Sequence, residues 1–213
     1  MLRIFHLAVV ALATLASCSR AAKTDATPES SAPPLAGYAA LRMIVTPTAH
    51  VRSTDSLGWV QQLGGARGTA RRLDTALVAA FGARGMTSRW VFPAELARAF
   101  DRNRTYATDP YQLVVEGLRR PNFKTGEKYG EPLSSQLRTM IALQEDTRYV
   151  VLPMDLRFDR EGAGQRAILR IALLDPRTAE AKYVADVKSD VAASAAAALA
   201  SVAGRIADLF VAP

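Results

Sequence analysis

The chain has 213 residues, of which 49% are hydrophobic, and 27 basic against 20 acidic side chains give it a net charge of +7. Its single cysteine, Cys18, excludes an internal disulfide framework, and two histidines are too few for a multi-histidine metal site. The length is sufficient to bury a sizeable hydrophobic core without disulfides.

The first 17 residues are predicted to be a signal peptide. Arg3 supplies one positive charge, and the apolar run that follows is shorter than the roughly 20 residues that a membrane-spanning helix needs. Leu15-Ala16-Ser17-Cys18 is similar to the bacterial lipobox, in which small residues precede a cysteine that is acylated and becomes the new N-terminus. This resemblance implies cleavage before Cys18 and a palmitate-type anchor. The alternative is an ordinary signal peptide with an incidental cysteine.

Residues 18–37 are predicted to be the acylated cysteine and a flexible linker. The stretch after Cys18 is rich in Ser, Ala, Thr and Pro and has no apolar periodicity, although a pro-segment is an alternative interpretation. Ser19 follows the cysteine, and the sorting pattern of lipoproteins then indicates the outer membrane, with the domain in the periplasm. Removal of residues 1–17 takes away only Arg3, so the net charge becomes +6, which favours anionic surroundings such as lipid head groups. Nucleic acid is not an expected partner of an exported chain.

Residues 38–213 are predicted to form one globular α+β domain. In chain order the patterns predict a strand at 41–47, a loop at 47–68 with a short strand around Trp59, a helix at 70–84, a brief strand at 90–92, helices at 93–103 and 109–118, a loop at 119–131 and a helix from Pro132.

The last third is predicted to be a three-strand antiparallel meander followed by a helix. Apolar residues at 150, 152, 154, 156 and 158 indicate a strand with one buried face, and Pro153 within it indicates an edge position or a bulge. Two further alternating strands, at 167–173 and 181–187, follow short turns. Asp190 is predicted to cap a final alanine-rich helix. The predicted fold is therefore the meander plus an N-terminal strand, packed by several helices.

Two stretches, DTRYVVLPMDLRFD and AILRIALLDPRTAEAKYVADV, resemble envelope lipoprotein domains of the TolB N-terminal, CsgG and LpoB-like families. The resemblance implies a non-catalytic protein that acts through contacts. LpoB-like members activate a peptidoglycan synthase, CsgG-like members form an outer-membrane secretion channel, and TolB-like domains recruit envelope proteins. No functional residue is carried over, because Ala179 and Tyr183 stand where relatives have Gly and often Trp. A different envelope lipoprotein, such as a lipopolysaccharide-assembly subunit, is the alternative.

The sequence carries no enzyme signature, so no catalytic residue, metal or cofactor is predicted. No GxSxG elbow accompanies His50, and Asp155 and Asp159 lie about 13 Å apart along a strand, beyond the roughly 5–9.5 Å that glycosidases use. The segment at 63–72 lacks the Gly-Lys-Ser/Thr ending of a P-loop and is predicted to be a flexible turn leading into a helix. A hydrolase that uses His50 or Asp155 stays a third alternative.

The predicted function is that of a lipid-anchored binding, scaffolding or regulatory module for an envelope machine such as a peptidoglycan synthase. The alternative is a structural subunit of an oligomeric outer-membrane secretion or lipid-transport assembly, and the oligomeric state is left open. The loops at 47–68 and 119–131 are the predicted contact surface. Candidate residues for contact with a partner, or with an anion such as lipid phosphate, are Arg67, Arg71, Arg72, Arg119, Arg120, Lys124 and Lys128.

Overall fold

The computed structural model describes residues 32–53, 55–162 and 164–212. The predicted signal peptide, Cys18 and the linker up to residue 31 lie outside the described residues. The described part combines one four-stranded sheet with five α-helices, which confirms the mixed α and β composition. The strands are β1 (Met43–Val45), β2 (Tyr149–Glu161), β3 (Gly164–Asp175) and β4 (Glu180–Lys188). The helices are α1 (Trp59–Gln62), α2 (Gly65–Ala83), α3 (Pro93–Arg102), α4 (Leu133–Ala142) and α5 (Ala195–Asp208).

The sheet has the order β1-β2-β3-β4 and is mixed. Strands β2, β3 and β4 form an antiparallel meander in the predicted order. Strand β1 pairs with β2 in parallel, with Met43 opposite Tyr149 and Val45 opposite Val151. A parallel pair requires a long crossover connection, and the chain between β1 and β2 supplies it with α1 to α4. The N-terminal strand therefore joins the meander at its β2 edge.

Helices cover both faces of the sheet, and each face has its own hydrophobic core. The first core lies between the sheet and helices α2 and α5, and it includes Leu77, Phe81 and Val202. Small buried side chains on α5, such as Ala198 and Ala203, let this helix approach its neighbours closely. The second core lies on the opposite face, under α3, α4 and the segment between them, and its members include Leu96, Phe123, Leu133 and Leu137.

Strand β2 changes the face that its side chains present partway along its length. Val150, Leu152 and Met154 belong to the second core, whereas Leu156 and Phe158 belong to the first. The cause is a register shift against β3 between Pro153 and Asp155, which marks a β-bulge. The bulge predicted from the proline is confirmed, and the prediction of a single buried face over 150–158 was wrong.

Three predicted elements of the central segment have different structures. Trp59 lies in the short helix α1 rather than in a strand, and α2 begins at Gly65, so the second half of the predicted loop at 47–68 is largely helical. The helix predicted over 109–118 consists of two separate 3₁₀ turns, Pro110–Gln112 and Glu116–Leu118. The brief strand predicted at 90–92 is a single parallel bridge between Val91 and Ile44.

The final helix does not begin where the sequence pattern placed its cap. Ser194 is the N-cap residue, and its hydroxyl accepts a hydrogen bond of 3.3 Å from the Ala197 amide. Asp190 instead accepts a hydrogen bond of 2.9 Å from the Ser201 hydroxyl and forms an ion pair with Arg205. The carboxylate therefore ties the preceding loop to the side of α5.

Ordered structure begins before Tyr38. Leu35 is buried in the first core, and its amide donates a hydrogen bond of 2.8 Å to the Leu209 carbonyl oxygen after α5. Among the described residues, none of the helices has the length and apolar character that crossing a membrane requires.

Candidate functional site

The two loops predicted as a contact surface meet at one buried carboxylate, Asp155, whose exposed fraction is only 3%. From the first loop, the Arg52 Nε and Nη2 atoms donate hydrogen bonds of 2.9 and 2.7 Å to Asp155 Oδ2. From the second loop, Arg119 Nη2 lies 3.5 Å from Asp155 Oδ1. His50 Nε2 lies 3.9 Å from the same oxygen. We refer to these four residues as the Asp155 cluster.

The β-bulge in β2 gives Asp155 this position. Without the extra residue, Asp155 would share a face with Val151 and point into the first core. With it, Asp155 lies on the side of the sheet where Arg119 and the loop up to Phe123 pack. A backbone irregularity therefore brings a buried charge to the place where two loops can pair with it.

Burial and the charges of the cluster together shift the pKa of His50. Burial and the neighbouring positive charge of Arg119 lower the pKa of His50 below its ordinary value of 6.5, although the Asp155 carboxylate opposes this shift. His50 is therefore neutral at pH 7, and Asp155 is balanced by the two arginines.

His50 also belongs to the wall of an open cleft with a volume of about 830 Å³. The cleft lies between the loop at 48–51, one face of α2, the start of α3, and Asp109 and Tyr111 at the 3₁₀ turn Pro110–Gln112. Its volume is within the range of small-molecule sites. We call it the arginine cleft, because Arg67 and Arg71 of α2 both line it.

Arg67 and Arg71 are exposed and lie one helical turn apart on α2. Among the described residues neither guanidinium has an ion-pair partner or a hydrogen-bond acceptor, whereas Arg52 and Arg84 both have carboxylate partners. The first turn of α2 contains no acidic side chain that could neutralise them. The cleft thus presents two uncompensated positive groups at adjacent positions.

Both carboxylates of the cleft accept hydrogen bonds from neutral donors. Asp74 Oδ1 accepts hydrogen bonds from the Thr48 amide and hydroxyl at 2.9 and 2.7 Å. Burial raises the pKa of Asp74, and the two bonds from Thr48 oppose the shift. Asp109 accepts from the Tyr111 amide at 2.9 Å and from Gln112 Nε2 at 3.1 Å.

Tyr111 closes the cleft opposite α2 and brings both an apolar ring and a hydroxyl. Burial raises the pKa of Tyr111, the Asp74 charge adds to the shift, and the Arg71 charge opposes it. The phenol is therefore protonated at neutral pH and can donate a hydrogen bond. Val78 on α2 is also exposed and lines the same cleft.

The seven candidate contact residues do not form one patch. Arg67 and Arg71 line the arginine cleft, whereas their neighbour Arg72 is exposed on α2 outside it. Arg119 belongs to the Asp155 cluster, and Arg120 forms an ion pair with Glu127 within its own loop. Lys124 and Lys128 are exposed, and the backbone of Lys128 bridges to Glu180 of β4.

Sequence reasoning missed most of the cleft wall. The Asp109-Pro110 pair signals a cap, and Asp109 does accept a bond from the Tyr111 amide, but nothing local indicates that this turn faces α2. Asp74 did give one signal in the sequence. It lies beside Leu73 and Leu77 on the buried face of α2, where an unpaired carboxylate is not expected. Its partner Thr48 lies 26 positions away, which a pattern cannot foresee.

The polar side chains around the cleft are mostly hydrogen-bond donors. Within the described residues, no group of three or more His, Cys, Asp or Glu side chains is placed to hold a metal ion. What the site offers is a set of arginine groups, a neutral imidazole and a phenol around an open cleft.

In comparisons with known proteins, no family model, curated protein or solved structure matches the chain. Its membership of the TolB, CsgG and LpoB-like group stays a prediction.

Proposed function

We propose that this chain is a lipid-anchored protein of the bacterial cell envelope that acts as a non-catalytic binding module. It scaffolds or regulates another envelope component, for example a peptidoglycan synthase. In this proposal acylated Cys18 holds the chain to the outer membrane, the linker gives reach into the periplasm, and the folded domain binds the partner.

The observation that carries the proposal is the junction of two loops at Asp155. A loop fixed before binding loses less conformational entropy when it meets a partner. Arg52 and Arg119 fix the two loops to one buried carboxylate, and half of the Arg52 side chain stays exposed. Arginine is enriched at protein interfaces, where its planar group stacks and donates several hydrogen bonds. The junction therefore supports a preorganised basic surface for an acidic partner.

The anchor is tested by metabolic labelling with palmitate in a bacterial host. We expect the wild-type chain to take up label and to fractionate with membranes, and Cys18→Ala to lose the label. Ser17→Ala is the matched control, since a small residue before the cysteine preserves the lipobox pattern and the label should stay. Label retained in Cys18→Ala contradicts the proposed anchor.

The partner is tested by affinity purification from detergent-solubilised envelope, with sizing and mass spectrometry. The variant Arg120→Glu/Lys124→Glu reverses two charges in the second loop, and Arg89→Glu/Arg102→Glu makes the same charge change outside both loops. We expect a heterologous envelope protein to copurify with wild type and with the second variant and to be lost from the first. Circular dichroism is used to check that both variants are folded.

Two other outcomes have a clear meaning. A detergent-stable homo-oligomer of defined size supports the structural-subunit alternative. Copurification that is equal for the two double variants contradicts the role of the loop junction.

A further inference from the structure

The arginine cleft contains positive groups that the protein itself does not neutralise. Arg67 and Arg71 have no ion-pair partner among the described residues, even though two carboxylates line the same cleft. Like charges one helical turn apart repel each other, so this pair gains from an anion placed between the two groups. The arrangement is therefore one that a bound anion would stabilise.

The cleft carboxylates do not pair with these two arginines. Both oxygens of Asp109 accept hydrogen bonds from its own turn, and the hydrogen bonds of Asp74 come from Thr48. Neither carboxylate lies within ion-pair distance of Arg67 or Arg71. The two guanidinium groups are thus left for an anion from outside.

The cleft also exposes apolar surface next to the arginines. Val78 and Tyr111 are two of the large apolar side chains with high exposure, 36% and 56%, and both line this cleft. Pro93 and Ala94 extend the apolar wall at the start of α3. A ligand that carries an apolar or aromatic part beside its anionic group would cover these side chains.

A phosphate group fits the donors better than a carboxylate. Two guanidinium groups and the Tyr111 hydroxyl offer more donors than the two oxygens of one carboxylate readily accept in separate directions. A phosphate group has three or four oxygens that point in different directions, and arginine binds it in a bidentate manner.

We propose that the arginine cleft binds a phosphate-bearing ligand, whose phosphate is held by Arg67 and Arg71 and whose apolar part lies against Val78 and Tyr111. The phosphate belongs either to a lipid or to a soluble phosphate ester. This inference goes beyond the proposed function, because it concerns a small ligand and holds whether or not the loop junction binds a protein.

The test is calorimetric titration of the purified full chain in dodecyl maltoside at low salt. The three probes are inorganic phosphate, phenyl phosphate and micelles doped with dioctanoyl phosphatidic acid. We expect phenyl phosphate to bind more tightly than inorganic phosphate, because only the ester can cover Val78 and Tyr111. If phosphatidic acid binds saturably and with higher affinity than phenyl phosphate, the ligand is a lipid. If phenyl phosphate has the higher affinity, the ligand is a soluble ester.

The variant Arg67→Gln/Arg71→Gln removes both charges and keeps a polar side chain with the first three carbons of arginine. We expect its affinity for the preferred probe to fall by about tenfold or more, since charge-assisted bonds are lost. Arg72→Gln is the matched control, because Arg72 lies on the same helix outside the cleft, and its affinity should equal that of wild type. The substituted groups are exposed and unpaired, so thermal melting should show all variants folded.

The single variants Arg67→Gln and Arg71→Gln provide a second test if the double variant melts early. The proposal is overturned if none of the three probes binds the folded protein. It is equally overturned if the folded Arg67 and Arg71 variants bind as tightly as Arg72→Gln.

Discussion

Arg52 and Asp155 are joined by two hydrogen bonds although 103 positions separate them in the sequence. The pair connects the loop after β1 to the middle of β2, directly after its bulge. The carboxylate is buried, whereas the arginine reaches solvent. This contact therefore fixes a surface loop to the sheet. It does not join β1 to β2.

Removal of the Asp155 carboxylate should destabilise the domain. Asp155→Ala leaves Arg52 and Arg119 without their partner, and the expected loss of unfolding free energy is about 1–3 kcal/mol. The loss stays below that of a fully buried pair, because both guanidinium groups can turn toward water. Urea unfolding followed by circular dichroism measures it.

Asp159→Ala is the matched control for this experiment. Asp159 lies on the same strand, but its side chain is exposed and pairs with Arg157 at 3.5 Å. The expected change is within about 0.5 kcal/mol. Equal losses for the two variants would show that the Asp155 cluster does not fix the loops.

The elements that repeat a simple pattern could be predicted from the sequence. Apolar residues at every second position identify β3, whose Ala167, Leu169, Ile171 and Leu173 all lie in the first core. Helical spacing likewise identifies α2 and α3. These patterns depend only on residues that are close in the sequence, and the tertiary packing preserves the elements that they predict.

The bulge and the cleft depend on relations that are not local. Alternation continues through Met154 and Leu156, yet these residues belong to different cores because one extra residue is inserted. The cleft brings His50, Arg71 and Tyr111 together from three segments, and only the packing of the crossover helices determines that meeting. Asp190 has the residue type of a cap, but Ser194 takes that position, where the backbone is extended before α5.

Asp74 should respond oppositely to two substitutions. Asp74→Asn keeps an oxygen that can accept from Thr48 and removes a buried charge, so we expect stability at pH 7 equal to or above that of wild type. Asp74→Ala leaves the Thr48 amide and hydroxyl unpaired, at an expected cost of about 1–3 kcal/mol. Urea unfolding at pH 7 separates the two.

The pH dependence of Asp74 provides a further check. Burial raises its pKa in the folded state, so its contribution to stability is fully present below its ordinary pKa of 3.8. That contribution is lost as the pH rises through the folded-state pKa. The stability of Asp74→Asn relative to wild type should therefore increase over this window, and a decrease would mean that Thr48 binds the charged form strongly enough to lower the pKa.

His50 should make the domain less stable in mild acid. Its pKa is lowered in the folded state by burial and by Arg119, so the unfolded chain takes up a proton near pH 6.5 and the folded chain only at lower pH. Stability should fall as the pH decreases from 6.5 through the folded-state pKa. His50→Asn removes this component, and the difference in Tm between the two proteins between pH 8 and pH 5 measures it.

The imidazole can also be titrated directly by NMR. The expected result is a midpoint below 6.5 for His50 in the folded protein. A midpoint above 6.5 would mean that the attraction of Asp155 outweighs burial and Arg119, and His50→Asn would then lower stability in acid instead of raising it.

Two glycines within helices should respond in opposite directions to the same substitution. A Cβ on Gly68 of α2 would lie 2.2 Å from the Leu63 carbonyl oxygen, so Gly68→Ala requires α1 and α2 to separate. A Cβ on Gly204 of α5 would meet nothing within 4 Å. Alanine lowers the conformational entropy of the unfolded chain and favours the helix, so Gly204→Ala should stabilise by about 0.5–1 kcal/mol.

Gly68→Ala should destabilise by about 1–3 kcal/mol, since the backbone contact must open to relieve the overlap. Thermal unfolding of the two variants beside wild type gives both signs in one experiment. If both substitutions raise Tm, the turn between α1 and α2 accommodates a side chain and the close approach at Leu63 is not needed for stability. If both substitutions lower Tm, the position of Gly204 on α5 has less room for a side chain than the structure indicates.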